Sequence, residues 1–216
     1  MSIEDLGFTT SLADYIVKNN LSEFTPGRIM QEHRERYIVS SGEREYDAEI
    51  TGNMRFSATG REDFPAVGDW VAMAVYEPDM AIIHHILPRK SILSRQAIGK
   101  PGEKQIIASN VDAAFILQAV NNNFNINRLE RYMAICLSAG IEPVLVLTKT
   151  DLLTEAEVKE EEKQVKQRHS GLNIILLDNI SGRGLESIAL LMKKGKTYCV
   201  LGSSGVGKST LINNLL

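Results

Sequence analysis

Apolar and polar positions change rhythm along this chain, and each rhythm predicts a different architecture. In residues 1–24, Leu12, Tyr15 and Ile16 share one face of a candidate helix over Ser11–Asn20, making a short N-terminal helical segment. From Thr25 to Arg95 the pattern breaks into short strand-like pieces, at Gly27–Met30, Arg36–Ser40, Glu45–Ile50, Asp69–Val75 and Ala81–Leu87. Turn signals at Ser41-Gly42, Thr51-Gly52-Asn53, Val67-Gly68-Asp69 and Pro78-Asp79 separate them. Five short strands at this spacing predict a small closed β-barrel of the oligonucleotide/oligosaccharide-binding (OB) kind over residues 25–95, although an SH3-like barrel would leave the same trace.

The polar stretch 96–110 reads as a linker, and over 111–216 strands alternate with helices. Apolar runs at Asp112–Val120, Ile141–Leu147, Asn173–Leu177 and Thr197–Leu201 predict buried strands. Between them, Asn127 is placed to cap a helix running to Ala139 and Thr154 to cap Glu155–Arg168. Gly140 and Gly171 stand as stops, and a third helix covers Leu185–Lys194. Asn121-Asn122-Asn123 reads as a turn. The alternation predicts a mainly parallel sheet with helices on its faces, so the fold class is mixed, an OB-type barrel followed by an α/β domain.

Composition removes several function classes. With 44% hydrophobic and 24% charged residues and a formal net charge of −3, the chain reads as an ordinary globular protein without a global basic signal for nucleic acid. Only Arg89, Lys90, Arg95 and Lys100 form a compact basic cluster. Cys136 and Cys199 lie in apolar stretches without metal-ligand spacing and read as buried reduced thiols. No apolar run approaches the ~18 residues of a bilayer span, and the N-terminus lacks a secretory pattern, so the expected setting is cytoplasmic.

The strongest chemical signal is Gly202-Ser203-Ser204-Gly205-Val206-Gly207-Lys208-Ser209, a complete phosphate-binding loop between a predicted strand and a helix opening at Thr210. Gly202, Gly205 and Gly207 permit close backbone approach to an anion, and the amides from Ser203 to Lys208 can form a nest at a helix N-terminus. Lys208 is the candidate for the β- and γ-phosphate oxygens and Ser209 for Mg²⁺. One α/β unit earlier, a strand runs into Thr148-Lys149-Thr150-Asp151. A carboxylate there can accept from the N1–H and 2-amino group of guanine, a donor pair adenine lacks, with the Lys149 stem along the base. Alone, the tetrapeptide is also compatible with a helix cap.

Taken together, the guanine motif before a loop that continues through Leu211 and Asn213 looks like a circularly permuted GTPase. Pro65-Ala66-Val67-Gly68-Asp69-Trp70-Val71, Leu87-Pro88-Arg89-Lys90-Ser91-Ile92-Leu93-Ser94-Arg95 and Asn110-Val111-Asp112 resemble the RsgA/YjeQ family of bacterial small-ribosomal-subunit-dependent GTPases. That resemblance covers nearly all of Thr25–Leu216. It implies GTP or GDP with Mg²⁺, Lys208 as a catalytic group, and docking of a monomer on 16S rRNA of the 30S subunit during late maturation. The family's zinc domain would lie beyond the GTPase unit.

Three positions depart from the family pattern. Thr148 stands where Asn is usual, which removes an amide expected to support base and phosphate loop. Asp178-Asn179-Ile180-Ser181-Gly182-Arg183-Gly184-Leu185 stands where the resemblance expects the Ser-Ala segment that faces guanine O6, leaving backbone amides for that contact. No Asp is followed at the third position by Gly, so the switch motif that senses the γ-phosphate is missing and the expectation is a piece of a longer protein that binds nucleotide without efficient hydrolysis. An RNA-binding adaptor with a vestigial nucleotide site and an ATP-dependent kinase remain the alternatives.

Overall fold

The computed structural model describes residues 1–33, 36–96, 104–120 and 124–215. Lys100 and the Asn121–Asn123 turn lie outside the described residues. The chain divides into two units, Met1–Val111 with Lys194–Thr197, and Asp112–Lys193 with Tyr198–Leu216.

In the first unit, β1 (Thr25–His33), β2 (Arg36–Ser40), β3 (Glu45–Ile50), β4 (Trp70–Glu77) and β5 (Met80–Ile86) close into a barrel of order β1-β2-β3-β5-β4. Closure pairs Arg28 with Trp70 between antiparallel β1 and β4, and Ala48 with Ala81 between parallel β3 and β5. This strand order is that of an OB barrel and removes the SH3-like alternative. Strict alternation along β3 turns Tyr46, Ala48 and Ile50 inward, where they meet Ile29, Val39, Val71, Met73 and Ile83. The turn expected at Thr51-Gly52-Asn53 is instead the start of a helix, α2 (Gly52–Ser57), because the Thr51 hydroxyl accepts from Met54 N and caps it.

Residues 1–24 pack into the barrel unit. Helix α1 (Thr10–Lys18) starts where Thr9 caps it, and Leu12, Tyr15 and Ile16 pack with Phe8, Phe24 and Leu87 around Trp70. Trp70 is 2% exposed, with the Phe8 ring edge-on at 5.0 Å, so it is a core residue rather than a stacking platform. The linker reading of 96–110 is also corrected. Its described part is a strand, β7 (Lys104–Ser109), paired antiparallel with β6 (Ile92–Gln96). The run Lys104-Gln105-Ile106-Ile107-Ala108-Ser109 has no period-two alternation, which hid it. Asn110 then secures the exit: its Nδ2 donates to Gly68 O at 2.9 Å and its Oδ1 accepts from Lys90 N at 2.9 Å.

Arg89 is withdrawn from the basic cluster in the same region. Its guanidinium makes two bonds to the fully buried Asp69 carboxylate, at 2.8 and 2.6 Å, and donates to Glu62 O and Phe64 O.

The second unit is a four-stranded parallel sheet of order β10-β9-β8-β11, from β8 (Ala113–Ala119), β9 (Glu142–Thr148), β10 (Asn173–Leu177) and β11 (Tyr198–Leu201). Every residue of β8 is buried, as expected for a central strand covered on both faces. The helices are α3 (Ile126–Ser138), α4 (Glu155–Arg168), α5 (Leu185–Leu191) and α6 (Lys208–Leu215). Thr154 caps α4 in a reciprocal box with Glu157, and the helix ends ahead of Gly171. Helix α3 is capped by Asn125, whose side chain accepts from Arg128 N, and not by Asn127. Phe115, Leu117, Val146, Leu177, Ile188 and Leu211 form the core.

Burial raises both thiols, Cys136 to about 11 and Cys199 to about 12. The thiolate is the reactive form, so in folded protein near pH 8 both cysteines should resist iodoacetamide, whereas guanidinium-unfolded protein should react at both. Mass spectrometry of the alkylated chain checks this, and labelling of the folded protein at the unfolded rate would contradict it.

Candidate functional site

Parallel strands deliver their carboxyl ends to one rim, the usual place for a ligand in an open α/β sheet. At the end of β11 the backbone turns through Gly202 (φ 149°), Gly205 (φ 76°) and Gly207 (φ 99°) before α6 begins at Lys208. The Cβ of any other residue would lie 2.7 Å from Leu117 O at position 202, and 2.7 Å from Asn179 Nδ2 at position 207. Val206 is buried beneath the loop. Lys208 folds back over it, Nζ donating to Gly202 O at 2.9 Å and Ser203 O at 2.7 Å, which sets a positive charge at the loop's mouth. Ser203 turns away, its hydroxyl 3.0 Å from Arg128 Nη1.

At the end of β9, Thr148 is fully buried and its hydroxyl donates to Val206 O at 2.8 Å. The loop support expected to be lost with an amide is therefore supplied by a hydroxyl. Lys149 follows in a left-handed conformation (φ 60°), which swings Asp151 onto an exposed 3-10 turn, Thr150–Leu152. The end of β10 forms a tight turn in which Asp178 Oδ1 accepts from Ile180 N at 2.8 Å and Oδ2 accepts from the Ser181 hydroxyl. That hydroxyl bond, with the Ile180 amide, holds the Asp178 carboxyl below the usual carboxylate range.

These three ends enclose a cleft of about 600 Å³. From the base-recognition segment, Lys149 and Asp151 line it; from the phosphate loop and helix start, Ser204, Gly205, Gly207, Lys208, Ser209 and Thr210 do. Of the residues singled out from sequence, Thr148, Gly202, Ser203 and Val206 do not line the cleft; they shape it from behind. Leu152 lines it without having been singled out, and Asn179 and Ile180 line it from the segment that the resemblance set opposite guanine O6, their side chains without an assigned part. Their place after an apolar strand was the available signal, but a side-chain role is invisible until the turn at Asp178 is known. A second cavity, of about 350 Å³, lies in the barrel unit around Tyr15, Arg28 and Trp70 and holds none of this chemistry.

A family model described as RsgA GTPase matches residues 86–216. The chain belongs to the RsgA GTPase family. Small ribosomal subunit biogenesis GTPase RsgA 2 of Lactiplantibacillus plantarum is 40% identical over 210 residues, covering 97% of this chain and 58% of that protein. Small ribosomal subunit biogenesis GTPase RsgA of Opitutus terrae is 34% identical over 225 residues, covering all of this chain and 61% of that protein. The chain thus spans about three-fifths of the length of these RsgA relatives. Among solved structures, YjeQ from Thermotoga maritima matches with a TM-score of 0.71 and 23% identity, over 88% of this chain and 64% of that one. YloQ, described as a circularly permuted GTPase, matches at 0.65 with 24% identity over 88% of this chain. At these identities the two structures establish the fold alone, a barrel and a parallel α/β sheet. Among the described residues no helix is long and apolar enough to cross a membrane, and no group of three or more His, Cys, Asp or Glu is placed to hold a metal ion.

Proposed function

We propose that this chain binds guanine nucleotide in the cleft between Asp151 and Lys208, as part of a GTPase acting in small ribosomal subunit biogenesis. The observation that carries the reading is that the carboxylate and the ammonium, 57 positions apart in sequence, line one cavity of nucleotide size. Asp151 accepts from guanine N1–H and the 2-amino group, and the Lys149 stem lies against the ring. Lys208 exchanges its loop carbonyls for β- and γ-phosphate oxygens and stabilises the charge that builds on them during transfer to water. The backbone amides of Ser204 to Lys208 bind the β-phosphate at the helix N-terminus.

Magnesium fits the residues present. It takes few protein ligands and keeps waters and phosphate oxygens, and the exposed Ser209 hydroxyl at the cleft's edge meets that need. When bound, the ion supplies charge neutralisation between the phosphates. The names of the relatives support the small ribosomal subunit as the partner of the whole protein, and 16S rRNA as the surface it meets there is part of the same proposal. A monomer in the cytoplasm, with any zinc held outside these residues, is the setting that accompanies this role.

The test is Asp151→Asn. An amide donates to the 2-oxo group of xanthine and loses one acceptor for guanine, so GDP affinity should fall by about tenfold to a hundredfold while XDP affinity rises. Competition against a fluorescent nucleotide measures both. Unchanged base preference, or ADP competing as well as GDP in the unaltered protein, would remove the guanine assignment.

A further inference from the structure

The phosphate loop is fastened unequally along its length. The limb next to α6 is fixed without any ligand: Val206 is buried, Val206 O accepts from the Thr148 hydroxyl at 2.8 Å, and Gly207 O accepts from Leu211 N at 2.9 Å. The opposite limb, Ser203 to Gly205, is looser. Ser204 and Gly205 are exposed and have no hydrogen bond among the described residues, and a Cβ built on Gly205 would meet nothing within 4 Å. Ser203 ties this limb down from two directions: its carbonyl accepts from Lys208 Nζ at 2.7 Å, and its hydroxyl accepts from Arg128 Nη1 at 3.0 Å.

Resting on the nucleotide reading above, we infer that Arg128 is a positioning residue for nucleotide binding, holding the Ser203 limb of the loop in place once Lys208 has moved to phosphate.

The two ties have different fates on loading. Lys208 gives up its loop carbonyls for β- and γ-phosphate oxygens, so its tie is released. Arg128 does not line the cleft, so nucleotide does not compete for its bond to Ser203. In the loaded protein the amides of this limb are therefore backed by a side chain from α3. Without that backing, part of the interaction with phosphate would go into ordering the limb, and binding would weaken.

Helix stability does not explain an arginine at this place. Arg128 is the third residue of α3, in the first turn, where the helix dipole disfavours a cation. It has no ion pair among the described residues; Glu130, the one carboxylate of α3, is met by Arg168 and His169 at 3.5 and 3.3 Å. Its backbone is well fixed, because the Asn125 side chain caps the helix by accepting from Arg128 N at 2.9 Å. The guanidinium thus hangs from a rigid turn, as a tether for a mobile limb requires.

The test is release of GDP carrying a fluorescent N-methylanthraniloyl group, followed by stopped flow on this chain. Arg128→Ala and Ser203→Ala should each raise the dissociation rate about tenfold and leave the association rate within about twofold, because the empty loop keeps its Lys208 tie. The double variant should be no worse than either single one, since both remove the same bond. For the same reason, the melting temperature of each variant without nucleotide should move by less than about 2 °C. Arg128→Lys, which keeps a charged donor on a stem of similar reach, should recover most of the loss.

Base preference is a separate readout. If Asp151→Asn leaves base preference unchanged while Arg128→Ala and Ser203→Ala still speed release, the guanine assignment falls and the role of Arg128 stands. If both variants release GDP like the unaltered protein, if their effects add in full, or if the empty protein melts lower by more than that margin, the inference is overturned while the Asp151 assignment stands. If the unaltered protein binds no nucleotide, the two fall together.

Discussion

Replacing Lys208 with Ala is expected to lower guanine-nucleotide affinity by about a hundredfold or more, the largest effect on binding of any single change in the cleft. The ammonium already sits at the mouth of the loop, 2.9 and 2.7 Å from the carbonyls of Gly202 and Ser203. Nucleotide binding therefore replaces two neutral acceptors by anionic phosphate oxygens around a charge that hardly has to move, so little ordering cost is incurred. Hydrogen bonds to charged groups contribute about 1.5–3 kcal/mol each, and two of them account for a hundredfold. Arginine at this position should not restore binding, because the planar fork cannot occupy the space a single ammonium fills between those carbonyls. Fluorescent-nucleotide titration with a thermal melt of the same samples separates lost contacts from lost fold. An affinity within about threefold of the parent would mean that the loop does not hold phosphate.

The largest effect on stability is expected at Arg89, far in sequence from any nucleotide contact. Asp69 is fully buried in the barrel unit and its carboxylate is matched by two guanidinium bonds and by the Ala66 amide at 2.8 Å. Arg89→Ala would leave that charge buried and unpaired while also freeing the carbonyls of Glu62 and Phe64, a loss of about 3–5 kcal/mol. Removing both partners should cost less than the sum of the single changes, since no orphaned charge remains. Urea denaturation followed by the fluorescence of Trp70, the only tryptophan, reports on this unit. A shift below about 1 kcal/mol for Arg89→Ala would show the pair to be dispensable.

What could be read from the sequence follows what is local. The bounds of β2 and β3 are those predicted, and Thr154 caps α4 at the predicted residue, because alternation and capping chemistry act within a few positions. The two motifs of the cleft were legible for the same reason. What escaped depends on partners distant along the chain. The sequence shows Arg89 as one cation among four, and nothing near it announces that Asp69 lies twenty residues back within bonding distance. β7 looked like linker because its partner, Ile92–Gln96, had not been predicted as a strand. Thr148 looked like a defect because its acceptor, Val206 O, is 58 residues away. Asn179 stood in a segment marked only by resemblance, and the approach of its amide to Gly207 O, 28 residues on, could not be read from it.

The Thr148–Val206 bond and the uniform direction of the four strands bear on how such a chain could change its connectivity over time. A rim built from strands that all point one way is indifferent to which strand the ribosome makes first. Severing such a gene in one loop and splicing its old ends would return the same carboxylate and ammonium to the same mouth, stitched by a hydroxyl rather than by peptide. Reversing a single strand would not, because its terminus would then emerge on the far side of the sheet.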